Sequence, residues 1–117
     1  MTKEKLEKCS LCGLCKAYCP VYNALLSETA GPRGKAILIK KEIPDKIFYN
    51  CSLCKSCDNE CPAGIELTKE IREMRERLAA EGKETEANKA MIENVRKFGN
   101  PFGRIEKGKI PKKLYCC

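Results

Sequence analysis

Cys9-Ser10-Leu11-Cys12-Gly13-Leu14-Cys15-Lys16-Ala17-Tyr18-Cys19-Pro20 is the stretch on which the fold turns. Its skeleton returns at Cys51-Ser52-Leu53-Cys54-Lys55-Ser56-Cys57-Asp58-Asn59-Glu60-Cys61-Pro62. Four cysteines, the Ser-Leu pair after the first of them and the closing proline all recur 42 residues further on. Both copies read Cys-Ser-Leu-Cys-x-x-Cys-x-x-x-Cys-Pro. Two occurrences make an internal pseudo-repeat and not a solenoid.

Ten cysteines in 117 residues, with no tryptophan and only four tyrosines and three phenylalanines, point to a small core reinforced by cross-links or metal. The opening, Met1-Thr2-Lys3-Glu4-Lys5-Leu6-Glu7-Lys8, is charged and contains no apolar h-region, and no apolar run reaches bilayer length. The expectation is a cytoplasmic protein without direct membrane insertion. Thiols stay reduced in that compartment, so clustered cysteines there read as metal ligands before disulfides.

The spacing selects the kind of metal site. A cubane cluster presents four irons at the corners of a tetrahedron, and each takes one thiolate. Three cysteines spaced by two residues let one loop wrap three corners, and the fourth ligand comes from elsewhere. Where the C-x2-C-x2-C-x3-C-P pattern occurs twice, the last cysteine of each copy ligates the other cluster. Carried over, Cys9, Cys12, Cys15 and Cys61 hold one [4Fe–4S] cluster, and Cys51, Cys54, Cys57 and Cys19 hold a second. This crossing ties the halves together, which makes cluster binding part of folding. Pro20 and Pro62 turn the chain sharply at the crossing cysteines. The alternative is a zinc-stabilised cysteine-rich module that binds nucleic acid or protein. Structural zinc, however, favours two C-x2-C pairs set a dozen or more residues apart, often with histidine, and this chain has no histidine.

The formal charge of +7 counts cysteines as neutral. With eight thiolates and two oxidised cubane cores it falls to about +3, so much of the basic excess compensates the clusters. Few aromatic residues interleave with the basic ones, and nucleic acid is not the expected partner.

Helical signals fill the rest of the chain, and no stretch alternates long enough to argue a strand. Short helices are expected over Val21–Glu28 and, after the Gly31-Pro32 break, over Pro32–Lys41, with a turn from Pro44 to Cys51. Leu67, Ile71, Met74 and Leu78 mark a clear helix from Glu66 to Glu81, closed by Gly82, with Glu73 and Arg77 placed for an i,i+4 pair. Ala87, Met91, Val95 and Phe98 mark another from Thr85 to Phe98, stopped by Gly99. The fold class is all-α.

The paired motifs, Gly31-Pro32-Arg33-Gly34-Lys35 and the helical C-terminal part together resemble the α-helical ferredoxin domain over residues 5 to 105. That domain occurs in the C and D subunits of heterodisulfide reductase, in the iron–sulfur subunit of anaerobic glycerol-3-phosphate dehydrogenase and in iron–sulfur subunits of glycolate and lactate oxidation. The chain is also similar to the C-terminal half of the iron–sulfur subunit of succinate dehydrogenase. The resemblance implies a two-cluster electron carrier, residues 1–105, that wires a catalytic oxidoreductase subunit to an acceptor. Residues 106–117 then form a flexible basic tail. Gly99-Asn100-Pro101-Phe102-Gly103 resembles the turn that precedes a catalytic domain in larger members, and residues 110–117 resemble the opening of such a domain cut short. For Cys116 and Cys117 the favoured reading is a pair of spare thiols, with the truncated domain as the alternative. Lys107, Lys109, Lys112 and Lys113 offer a docking patch for an acidic redox partner. Arg33 and Lys35 are placed by their spacing near a cluster, where they stabilise its reduced form. No residue is assigned a catalytic role: no glycine-rich nucleotide loop, histidine or paired carboxylates suggest one.

Overall fold

The structure, a computed structural model, describes residues 3–111. It contains six α-helices and two 3₁₀ turns, with no strand among the described residues. The chain divides into two compact units, Met1–Lys83 and Glu84–Cys117.

In the first unit the two motifs fold alike. Leu11 and Leu53, third in each copy, both take the left-handed conformation (φ 60° and 56°), as do Gly13 and Lys55, fifth in each (φ 81° and 64°). A single turn of helix follows in both, 3₁₀ over Leu14–Tyr18 and α over Ser56–Asn59 (α4). Leucine and lysine adopt such angles only where the surroundings enforce them, at about 1–3 kcal/mol each. The repeat is thus one of backbone path as well as of residue type.

Around the motifs, α1 (Lys3–Glu7) inserts Leu6 into the core. Helix α2 (Pro20–Leu25) starts on Cys19, whose sulfur accepts the Tyr22 backbone N–H at 3.3 Å, and Pro20 takes the first helical position. It is shorter than the expected Val21–Glu28 because Leu26 turns left-handed (φ 50°) and closes it. Helix α3 (Pro32–Lys40) begins after Gly31 as expected, and it runs so close to the preceding loop that a Cβ on Gly34 would lie 2.0 Å from the Glu28 carbonyl oxygen. The segment after Pro44 is a 3₁₀ turn, Lys46–Asn50, capped by Asp45, which accepts the Ile47 N–H at 2.8 Å.

Helix α5 (Leu67–Ala80) buries the expected stripe of Leu67, Ile71, Met74 and Leu78. This stripe packs with Ala36 and Ile39 of α3, Leu6 of α1, Ile65 and the wholly buried Phe48. Burial of each large side chain contributes about 1.5–3 kcal/mol. Cys9, Cys51, Cys57 and Cys61 pack on the same cluster, so the core directly backs both motifs. On the wet side of α5, Arg77 lies 3.5 Å from Glu81, and Gly82 closes the helix at φ 69°.

In the second unit α6 (Glu86–Phe98) keeps its expected limits. Thr85 accepts the Asn88 N–H at 3.2 Å, and Gly99 takes φ 74°. None of its residues is buried; Val95 and Phe98 on its apolar stripe stay about half exposed (47% and 50%). The Asn100–Gly103 turn is tightly built: Asn94 donates to the Pro101 carbonyl, Asn100 to the Gly103 carbonyl, and the Phe102 N–H to Asn100. Lys112, Lys113, Cys116 and Cys117 lie outside the described residues. No helix among the described residues is long and apolar enough to cross a membrane.

Candidate cluster-binding site

Two cavities open among the cysteines. Cys9, Cys12 and Cys15 of the first motif line one of them together with Cys61 of the second, and the remaining wall is largely apolar, with Leu6, Ala36, Ile65 and Leu67. Its volume, with the mouth, is about 440 Å³. Cys51, Cys54 and Cys57 of the second motif line the other with Cys19 of the first, beside Val21, Ala30 and Ile71. That cavity measures about 360 Å³ on the same basis. Cys57 reaches the wall of both. All eight are free thiols; Cys12 and Cys54, second in their motifs, are the exposed ones.

The local chemistry follows from these positions. Burial raises the Cys15 thiol pKa, and the neighbouring Cys9, Cys12 and Cys61 add to the effect. Cys57 is pushed far above its ordinary value, first by burial and then by Asp58. Burial thus favours the neutral thiol at both positions, and a bound metal centre would favour the thiolate. The Cys54 pKa is held below its ordinary value by its hydrogen bond with the Ser56 hydroxyl, to which the thiol donates at 3.4 Å. Backbone N–H groups reach sulfur at Leu53 to Cys51 (3.4 Å) and at Tyr22 to Cys19 (3.3 Å). Donors of this kind stabilise thiolate charge and raise reduction potential.

Cations flank both cavities. Arg33 lines the first, donating to Glu28 at 2.7 Å and to the Leu11 carbonyl at 3.5 Å. Lys16 shares the Glu28 carboxylate at 3.0 Å, and hydrogen bonds from Arg33 and then Lys16 hold the Glu28 pKa below the usual carboxylate range. Lys40 donates to the Cys9 carbonyl at 2.9 Å. At the second cavity Lys35 is buried and donates to the Ala30 carbonyl. Burial lowers its pKa, against the upward pull of Cys51, Cys19 and Cys57. Arg75, from α5, donates to the carbonyls of Phe48 and Cys51 and sits over the Tyr49 ring. Sequence spacing singles out Arg33 and Lys35 but not Lys40, Arg75 or Asp58. Arg75 carries a signal all the same: it falls four residues after Ile71 and three before Leu78, on the buried stripe, where a charged side chain needs an internal partner.

The donor set fits a cluster. Five thiols line the first cavity and four the second, in each case from two separate stretches of chain. Among the described residues no three Cys, Asp or Glu side chains converge as a single ion requires. Four zinc thiolates would all stand about 2.3 Å from one point, whereas the corners of a cubane hold its ligands further apart.

A family model, the 4Fe-4S dicluster domain, matches residues 5–65. The chain belongs to that family, and its cofactors are two [4Fe–4S] clusters. Among curated proteins it is 35% identical over 68 residues to the glycolate oxidase iron-sulfur subunit of Escherichia coli, covering 51% of this chain and 17% of that one. It is 36% identical over 94 residues to the uncharacterized electron transport protein YkgF of the same organism, covering 73% and 20%. It is 26% identical over 99 residues to an iron-sulfur subunit of the CoB--CoM heterodisulfide reductase of Methanocaldococcus jannaschii, covering 83% and 53%. The chain thus spans between about a sixth and about half of the length of these relatives.

Proposed function

We propose that this chain carries electrons in the cytoplasm as a subunit or domain of a heterodisulfide-reductase-like oxidoreductase, with residues 1–105 as the carrier module. Cys9, Cys12, Cys15 and Cys61 hold one cluster, and Cys51, Cys54, Cys57 and Cys19 the other. The observation that supports this reading is that each cavity is lined by the first three cysteines of one motif and the last cysteine of the other, with Cys57 also reaching the first. When bound, each cluster supplies reversible one-electron transfer.

The chain's own residues do the rest. The buried stripe of α5 and Phe48 fix the motif loops and exclude water from behind the cysteines. Leu53 and Tyr22 direct N–H groups at sulfur. The exposed Cys12 and Cys54 provide an edge toward solvent for each centre, where a partner approaches. Those partners are redox proteins, including a catalytic oxidoreductase subunit, with the basic residues 107–113 as a docking patch for an acidic one. Lys109 in that segment is paired to Glu106 at 2.6 Å. The names of the heterodisulfide reductase and glycolate oxidase relatives support the oxidoreductase context.

Iron and acid-labile sulfide analysis of anaerobically purified protein tests the proposal. The expected result is a brown protein with about eight irons and eight sulfides per chain and a visible shoulder that bleaches on reduction. Stoichiometric zinc without sulfide would overturn it.

A further inference from the structure

Lys35 is the most deeply buried charge in the first unit. Its residue exposure is 2%, and its ammonium donates to the Ala30 carbonyl. No carboxylate pairs with it among the described residues. An ammonium removed from water without a counter-charge is strongly destabilising. The anionic partner must therefore come from the cavity that Lys35 lines, the one shared by Cys19, Cys51, Cys54 and Cys57.

The first cavity is arranged differently. Its lining cation, Arg33, is about one third exposed (32%) and shares the Glu28 carboxylate with Lys16, at 2.7 and 3.0 Å. Charge that is both paired and wet acts weakly on its neighbours, whereas unpaired charge in a dry site acts strongly. Arg75 at the second cavity, donating to the Cys51 carbonyl, has its counterpart in Lys40, which donates to the carbonyl of the equivalent Cys9 at 2.9 Å, so Lys35 is the buried charge by which the two sites differ. Asp58 opposes it, with an oxygen 3.6 Å from the Cys57 sulfur. Its carboxylate is already offset by the α5 N-terminus, accepting from the Thr68 N–H and hydroxyl.

We infer that Lys35 sets the cluster of the second cavity at the higher reduction potential, so that an electron entering the protein comes to rest beside the second motif. The inference rests on the two-cluster reading above. Reduction adds one electron and one negative charge to the site, with no proton taken up. A fixed ammonium at short range in a dry wall favours that added charge.

The test is an EPR-monitored redox titration of the full, cluster-loaded chain, poised with dithionite and mediators under argon, after eight irons have been verified. Cys54→Ser identifies the signal of the second centre, by shifting or removing it. In Lys35→Met, which keeps the length and loses the charge, that signal should be at least tenfold less reduced at the poise where the unaltered protein is half reduced. Tenfold corresponds to about 59 mV for one electron. The other signal should hold its potential. An unmoved second signal, or two signals moved equally, overturns the inference while leaving the two-cluster reading intact. Fewer than eight irons in the unaltered protein would overturn that reading and this inference with it. If Lys35→Met fails to load, Cys54→Ser decides alone: the signal it alters must be the higher of the two, and the lower would refute the assignment.

Discussion

The Asp58 carboxylate caps helix α5 from within the second motif: one oxygen accepts the Thr68 backbone N–H at 3.0 Å and the other accepts the Thr68 hydroxyl. A cap normally belongs to the residue just before the helix. Here it arrives from ten residues upstream, because Glu66 at the N-cap position contributes no side-chain bond. The residue next to Cys57 is thereby fastened to the longest helix in the first unit.

Asp58→Ala should therefore destabilise the protein by about 1–2 kcal/mol, as expected for loss of a helix cap. Asp58→Asn, which still offers an acceptor, should recover most of that. Anaerobic thermal unfolding of the loaded protein measures both. Equal losses for the two variants would mean that the charge, and not the cap, matters.

Gly34→Ala should be far more damaging. The added methyl would meet the Glu28 carbonyl oxygen at 2.0 Å, and backbone on both sides leaves no flexible side chain to give way. Relief requires moving α3 off the 28–29 loop, which displaces Arg33 and Lys35 together. Loss of more than about 3 kcal/mol, or failure to retain eight irons, is expected by analogy with overpacked sites. Normal iron content with an unchanged melting temperature would show that α3 does not approach this loop so closely.

Cysteine crossing makes an asymmetric prediction. Cys19→Ser should damage the centre formed by Cys51, Cys54 and Cys57, and Cys61→Ser the centre formed by Cys9, Cys12 and Cys15. EPR spectra of the single-cluster variants distinguish the two. Each substitution perturbing the centre of its own motif would exclude the crossed ligand set.

If the eight motif cysteines saturate two cubanes, as proposed, Cys116 and Cys117 are surplus, and alkylation of the loaded protein is expected to fall on this pair, which follows Lys112 and Lys113 in the sequence. Changing both to serine should leave iron content and reduction unchanged and remove most alkylation by iodoacetamide. Loss of iron would make one of them a ligand.

The all-α class and the two long helices are legible in the sequence because period and punctuation agree. Leu67, Ile71, Met74 and Leu78 form one face, and Gly82 and Gly99 supply stops that the backbone uses at φ 69° and 74°. Short elements are harder. Helix α1 has five residues and, among those whose burial is described, a single buried one, Leu6, too little for any periodicity to register. Helix α2 is expected to run longer than it does because Leu26, a good helix former, ends it by adopting a left-handed conformation that nothing in its side chain announces. In the site, the motif spacing marks the eight cysteines. The cap from Asp58 and the bonds from Arg75 and Lys40 span 10, 24 and 31 residues, and local patterns do not register contacts at such separations.

Cys57, which stands in the wall of both cavities, has a consequence for how the protein fills. Pro32 stands in both walls with it, so the two cavities share a boundary. Charge held in one would then act across that boundary on the other. Two chemically identical centres in these positions would already refuse to accept electrons together, since the first one held repels the second. A chain loaded as proposed would then take up its electrons one after the other, the second at a lower potential than the first.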